Sequence, residues 1–382
     1  MQRTVISYKN SLDHDKAKSV LAKLSYSIED IMNCYLDEKN SEIIIETERE
    51  SADCARVAEH LIQAELQRRV FKPRVIRNNN GRSEERDQLE VSEVFSVDFE
   101  HWITLPDQGQ RVISLLLAYI DAMADPLGAK RRVYPAMIPR ETMEKCGYLH
   151  TFPQNLYLVN QFPHNFDVLN AVRSADSIDL LTRPSEYVLS PAVCFHCYRE
   201  FTNAELPDGV VVSADGTCFR HEAAWRVNHF RRKEFKMREI VYFGSEPTVQ
   251  RIRLQLLDKT WEWFNALRLT GKIETASDPF YFIEDHPKAS HQLFHQMKYE
   301  LVVMLGNGES FALASFNIVG GTLCEAFNIR VACTREPYSG CAAFGLERWA
   351  YALYVQYGPD MERWPRAIRK TLTANESKRI TV

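Results

Sequence analysis

Apolar positions along the chain fall into short alternating runs and longer amphipathic stretches, and the two kinds are interspersed. Thr4–Tyr8 (TVISY) and Ser41–Thr47 (SEIIIET) read as strands, the second rich in β-branched residues. Asp15–Leu24 has helical spacing, and Ser51 is placed to cap a further helix from Ala52 to about Arg69. Residues 1–80 therefore read as a small α+β module. Arg77–Asp87 (RNNNGRSEERD) carries no apolar residue and opens a linker or loop over 81–104. Beyond it, Gln110–Met123 reads as a long apolar helix and Arg131–Pro139 as a strand. Tyr187–Gly244 alternates strands with turns such as Ala214-Asp215-Gly216. Glu246–Leu267 and Pro287–Leu305 read as long helices, and Glu309–Asn317 and Glu325–Val331 as strands. A turn at Ser339-Gly340 leads into a last helix from near Phe344. Strands interrupted irregularly by helices predict an α+β domain over 105–382, a mainly antiparallel β-sheet flanked by helices.

Composition narrows the class. The chain has 382 residues, 45% hydrophobic and 26% charged, so it is globular in composition and long enough for two or three units. A net charge of −4 gives no global basic field for nucleic acid or an anionic membrane. The absence of any long apolar run or secretory signal pattern predicts no membrane span and a cytoplasmic location. Nine cysteines, an odd number dispersed over the chain, argue against a disulfide framework.

Several motifs carry no chemistry. No phosphate-binding glycine loop is present, and His221-Glu222-Ala-Ala-Trp225 misses the zinc-protease pattern at its last position. Cys194-Phe-His-Cys197 lacks the second pair that a four-thiolate site needs, and His291 with His295 has no obvious third ligand. More informative is Arg226–Arg238, where thirteen residues hold six Lys or Arg in an acidic chain. Such a cluster suits a polyanion such as a triphosphate, although a solvated charged hairpin has the same composition.

Phe219-Arg220-x-Glu222, a loop, then Phe235, with Gly345-Leu-Glu-Arg348 about a hundred residues on, resemble motifs 2 and 3 of class II aminoacyl-tRNA synthetases. Gln110–Arg140 looks like their dimer-forming motif 1, and the likeness spans about residues 105–365. A narrower resemblance joins Ser190-Pro-Ala-Val-Cys194, Met237-Arg-Glu239, Asp278-Pro-Phe-Tyr281, Ala314-Ser-Phe-Asn317 and Cys341–Arg348. These are similar to the amino acid:[carrier protein] ligases, shortened homologues of the atypical zinc-dependent seryl-tRNA synthetases.

The resemblance implies a class II synthetase-type sheet and a homodimer. It implies zinc on Cys194, Glu239 and Cys341, with an open position that takes the substrate's amino group; Cys197 is the alternative to Cys194. ATP and magnesium are implied as well. Arg220 would contact the α-phosphate and carboxylate, and Glu222 the adenine amino group or its neighbours. Phe235 and Arg348 would stack on the two adenine faces, while Glu325 and Asn317 are candidates for holding magnesium. Plain structural roles stay open for each, Phe235 as core and Glu222 as partner of a nearby arginine. Trp261 and Trp263 read as core more readily than as pocket.

The implied activity is adenylation of a small amino acid, then transfer to the phosphopantetheine thiol of a carrier protein. A tRNA-charging enzyme is the competing reading. Met1–Asn80 is neutral, with thirteen basic and thirteen acidic residues, which disfavours tRNA as partner. A catalytically silent paralogue acting as a binding subunit is the third reading.

Overall fold

The computed structural model describes residues 2–8, 12–48, 53–67, 72–79, 96–97, 103–278 and 280–376. The N-terminal module comprises β1 (Gln2–Ser7), α1 (His14–Leu24), β2 (Ile31–Asp37), β3 (Glu42–Thr47) and α2 (Asp53–Gln67). Its antiparallel sheet runs β1-β3-β2, with the run of isoleucines in β3 at the centre. Both helices pack on it through Ala17, Val20, Leu24, Ala58 and Leu61. Strand β2 is an addition to the sequence reading, and the Ser51 cap lies outside the described residues.

Strand β4 (Val75–Asn79) falls where the linker was expected to begin, yet it pairs antiparallel with a strand of the large sheet. Much of 81–104 lies outside the described residues; β5 (Ser96–Val97) and β6 (Ile103–Thr104) form a short ladder. Helix α3 (Asp107–Ala124) follows. The segment read as one strand, Arg131–Pro139, is divided into β7 (Lys130–Val133) and β8 (Met137–Pro139), which enter different sheets. A small excursion contains α4 (Arg140–Lys145), α5 (Tyr148–Thr151), β9 (Leu158–Gln161), α6 (Phe166–Val172) and β10 (Arg183–Leu189). It gives a second three-stranded sheet, β8-β10-β9.

The remaining elements are α7 (Cys194–Glu200), β11 (Glu205–Leu206), β12 (Val210–Phe219), β13 (Glu234–Gly244), α8 (Glu246–Ala266), β14 (Gly271–Thr275) and α9 (His286–Phe294). They continue through β15 (Lys298–Met304), β16 (Ser310–Gly320), α10 (Thr322–Ala326), β17 (Arg330–Val331), β18 (Tyr338–Gly345), α11 (Leu346–Tyr357) and α12 (Arg366–Thr373). Among the described residues, eight strands form the large sheet in the order β4-β14-β15-β16-β18-β13-β12-β7. Every neighbour is antiparallel except β7, which runs parallel to β12.

Four expectations change. Ala214-Asp215-Gly216 is not a turn but lies inside β12. The helix expected over Pro287–Leu305 stops at Phe294, because Gln296 takes a positive φ of 51° and breaks it. From Lys298 the chain is strand, with Tyr299, Leu301 and Val303 inward and Lys298, Glu300 and Val302 on the other face. The period there is two, which a helical reading had blurred. The strand expected over Glu325–Val331 is the end of α10 followed by two-residue β17. Finally, Ser339-Gly340 is not a turn but the start of β18. Glycine is needed at 340 because a Cβ there would lie 2.4 Å from the Asn317 carbonyl oxygen and 2.5 Å from the Tyr242 ring.

Period-two alternation gives the large sheet two distinct faces. Ile240, Tyr242, Phe316, Ala342 and Phe344 face α3, α8 and α11, and form the main core with Leu116, Leu256 and Trp349. Trp263 belongs to this core, stacked between Tyr119 (4.3 Å) and Trp349 (4.5 Å). On the opposite face, Val212, Ala214, Cys218, Val241 and Phe243 pack with α7 and α10. Among the described residues, no helix is long and apolar enough to cross a membrane.

Candidate active site

The same alternation sets the chemistry. Phe235, Met237 and Glu239 share one face of β13 with Val241 and Phe243. On β18 the matching positions are Cys341, Ala343 and Gly345; on β16 they are Ser315 and Asn317, and on β15 Lys298 and Glu300. Arg220 and Glu222 continue this register just beyond the end of β12. Residues separated by more than a hundred positions, such as Arg220 and Gly345, thus converge on one concave face.

A cavity of about 140 Å³ opens there. Its lining includes five basic side chains, Arg220, Arg231, Arg232, Lys298 and Arg348, against three carboxylates, Glu222, Glu300 and Glu347. Arg348 donates from Nε to the Phe230 carbonyl (2.8 Å) and from Nη1 to the Ala312 carbonyl (3.0 Å). Burial, then the neighbouring Arg231 and Arg220, press its pKa down to about 10, so it remains charged at neutral pH. Arg220 lies over the Phe235 ring, 5.2 Å from its centroid, and donates from Nε to the Pro191 carbonyl (3.3 Å). Concentrating guanidinium groups in a buried place disfavours the empty state and suits a multiply charged anion.

Glu222 is 8% exposed and is held by Arg231, whose Nη1 donates to Oε1 (3.0 Å) and Oε2 (3.2 Å). Pairing with a nearby arginine, an alternative the sequence left open, is therefore present alongside its place in the cavity wall. Glu347 accepts the Lys236 backbone N–H at 2.9 Å and lies 3.4 Å from Arg232, and burial raises its pKa. The basic cluster of 226–238 proves to be divided. Arg231 and Arg232 line the cavity, whereas Arg238 is buried in ion pairs with Asp121 (2.7 Å) and Asp215 (3.1 Å). Arg226 turns toward the N-terminal module.

Beside this cavity, one ligand atom each from Cys194, Glu239 and Cys341 lie within 4.8 Å of one another. Val193 N–H donates to Glu239 Oε1 (2.9 Å), and the carboxylate also meets the Cys194 thiol. The Cys194 thiol is pushed well up by its hydrogen bond with Cys341, by burial and by the Glu239 carboxylate. Burial also raises Glu239. Three groups that would each be anionic thus face one another in a dry place, and a soft dication relieves that conflict. Two thiols and a carboxylate, with one ligand atom each within 4.8 Å of one another, fit zinc. Cys197 is absent from the cluster; it is buried in the core between α7 and the sheet.

Other candidates separate. Glu325 is exposed on α10 and does not line the cavity. Asn317 lies opposite Cys341 across β16 and β18, with its amide 3.3 Å from the sulfur. His291 and His295 have rings 4.3 Å apart, without a third ligand among the described residues. The sequence reading missed Lys298, Glu300 and Ser315. Lys298 bridges Asp278 (2.7 Å) and Glu300 (3.1 Å), and Ser315 pairs with Glu300 across the strands. The signal for Lys298 and Glu300 was the alternation of Lys298–Met304, hidden inside a segment taken as helix, whereas Ser315 lies in a stretch read as strand.

Comparison with known proteins agrees with this geometry. The family model for the tRNA synthetase class II core domain (G, H, P, S and T) matches residues 180–357. An amino acid–[acyl-carrier-protein] ligase 1 of Bradyrhizobium diazoefficiens is 31% identical over 273 residues, 69% of this chain and 81% of that protein. A type-2 serine–tRNA ligase of Methanopyrus kandleri is 29% identical over 70% of this chain, but this spans only 55% of that protein. Among solved structures, M. kandleri SerRS in complex with A. aeolicus tRNASec superposes with a TM-score of 0.67 at 20% identity. It covers 97% of this chain and 77% of that one. The fold is that of the class II synthetases. Within that class, the chain belongs to the ligase family that holds the amino acid–[acyl-carrier-protein] ligases together with the type-2 serine–tRNA ligases.

Proposed function

We propose that the protein activates an amino acid with ATP as an aminoacyl-adenylate and transfers it to the phosphopantetheine thiol of a carrier protein. One observation carries this reading: the paired strands β13 and β18 line the guanidinium-rich cavity through Phe235, Met237, Ala343 and Gly345 and carry Glu239 and Cys341, which meet Cys194 of α7 in the neighbouring cluster. Nucleotide and amino group would therefore be held side by side.

In the first half-reaction a carboxylate oxygen of the amino acid attacks the α-phosphorus. The new O–P bond forms as the bond to the β-phosphate oxygen breaks, and pyrophosphate leaves. Charge grows on the α-phosphoryl oxygens, so the protein's contribution is fixed positive charge and alignment. Arg220 sits to meet that charge, and Arg348 and Phe235 to flank the base. Glu222 offers an acceptor to the adenine amino group. Cys194, Glu239 and Cys341 would hold zinc, which supplies Lewis-acid capture of a free amine and so excludes substrates lacking one. Magnesium accompanying ATP would find Glu300, the cavity carboxylate paired with Ser315 across the strands; Glu325 is exposed on α10 and outside the cavity lining. In the second half-reaction the thiol sulfur attacks the acyl carbon, the C–O bond to phosphate breaks, and AMP leaves.

A serine–tRNA ligase-like activity is the second reading, favoured by the type-2 relatives. The neutral balance of the N-terminal module weighs against it. A homodimer is part of the proposal. Motif 1 would correspond to α3 and β7, where the edge strand leaves Val133 81% exposed above a cavity of about 680 Å³. The test is amino-acid-dependent ATP–pyrophosphate exchange with zinc-loaded protein, followed by transfer to a phosphopantetheinylated carrier or to tRNA. Exchange with one small amino acid and transfer to the carrier supports the proposal. Absence of exchange with every common amino acid sinks it.

A further inference from the structure

Two separate pieces of the catalytic unit, residues 222–226 and Tyr281, meet one short stretch of the N-terminal module, residues 22–27. Arg226 Nη1 reaches the Ala22 carbonyl (3.5 Å) and the Ser25 hydroxyl (3.4 Å). The hydroxyls of Ser27 and Tyr281 lie 2.9 Å apart. Between these contacts, the Tyr26 hydroxyl donates to Glu222 Oε2 at 3.2 Å. Trp225 completes the contact by packing against the module's apolar core.

The contact bears directly on the nucleotide cavity. Glu222 is one of its walls, and the two groups that hold the carboxylate come from different places. Arg231 belongs to the same loop, nine residues further on. Tyr26 belongs to the other unit, 196 residues away. Burial, and then the Glu222 carboxylate, push the Tyr26 phenol up to about 12, so it is a proton donor throughout the physiological range. A carboxylate held from two independent directions cannot swivel freely about its terminal bond, and the direction of its remaining lone pairs is defined.

We propose that Tyr26 is a positioning residue for the nucleotide site: docking of the N-terminal module orients Glu222 and thereby sets the preference for adenine over guanine. This rests on the ATP reading given above. Adenine presents an amino donor where guanine presents a carbonyl acceptor. A fixed carboxylate rewards the first and repels the second, while a loosened one does both less well. The N-terminal module is thus part of the nucleotide site although it supplies no residue to the cavity wall.

Titration of the full-length chain with ATP and with GTP, by calorimetry without amino acid, tests the proposal in the wild type and in Tyr26→Phe, Ser27→Ala, Glu222→Gln and the Tyr26→Phe/Glu222→Gln double variant. Tyr26→Phe should weaken ATP binding roughly fivefold and GTP binding little, so that the preference narrows. Ser27→Ala, which breaks a neighbouring contact of the same module, should leave the preference unchanged. The double variant should match Glu222→Gln alone. Unchanged affinity and preference in Tyr26→Phe would overturn the proposal, as would an equal loss in Ser27→Ala, which would mean only a loosened module. A wild type that binds neither nucleotide would instead overturn the adenylation reading, and this inference with it.

Discussion

The side-chain amide of Asn317 donates to the sulfur of Cys341 across 3.3 Å, and the two residues face each other on neighbouring strands. The same nitrogen reaches the Ser315 hydroxyl at 3.1 Å. Asn317 thereby steers one sulfur of the three-ligand cluster without belonging to it. A donor to a metal-bound sulfur stabilises the thiolate and fixes its direction. Asn317→Ala should lower zinc affinity by about tenfold or more, measured by competition with a chromophoric chelator. Cys194→Ala should remove the metal, and Cys197→Ala should retain it. Retention of full affinity in Asn317→Ala would leave the amide only a strand-to-strand link.

Arg348 is tied to two backbone carbonyls while it faces the cavity. A lysine carries the charge but has a single nitrogen, so it cannot hold both carbonyls and the cavity at once. Arg348→Lys should reduce pyrophosphate exchange by about a hundredfold. Exchange within twofold of the wild type would show that charge alone suffices there.

The Lys298–Asp278 pair predicts a pH dependence. Burial alone would raise the Asp278 carboxyl, but the Lys298 ammonium and the Gln292 amide outweigh it and hold the carboxyl below its ordinary range. A depressed folded-state pKa contributes stability that is present above the unfolded value and lost as pH falls through the folded one. Lys298→Met removes the counter-charge and lets Asp278 take a proton at higher pH. The variant should therefore be clearly less stable near neutrality, and the gap should shrink as pH falls toward about 4. Thermal melts of both proteins at stepped pH check the sign. A gap that widens on acidification would contradict it.

Gly340→Ala should destabilise the fold by about 2–3 kcal/mol, because the new Cβ meets the β16 backbone on one side and the Tyr242 ring on the other. Chemical denaturation reads this directly. The displaced strand also carries Cys341, so zinc content should fall with stability.

Legibility in the sequence followed the range of the determining contacts. The β-branched run of β3 and the apolar stripe of α3 are local signals, and both were read within a few residues. Cys194, Glu239 and Cys341 were located by likeness to a family, since periodicity cannot bring together residues on α7, β13 and β18. Glu325 was read as the start of a strand over Glu325–Val331, whereas it sits near the end of α10, exposed and outside the cavity lining. Lys298 and Glu300 were hidden by the break at Gln296, since a non-glycine residue at positive φ leaves no mark in composition. Tyr26 was out of reach for another reason: its partner is supplied by another folding unit.

Strand β4 forms one edge of the large sheet against β14, and the Asn79 carboxamide accepts the Gly271 N–H at 2.8 Å. Those two residues are separated by 192 positions. During synthesis β4 leaves the ribosome long before its partner exists, so it joins the sheet late, after α3 and the β12–β13 hairpin have been made. At translation rates of about 5–20 residues per second, that wait lasts roughly ten seconds or more. A chain shortened to begin at residue 105 would never close that edge. It would leave the β14 backbone groups from Gly271 to Glu274 open to pairing with another molecule.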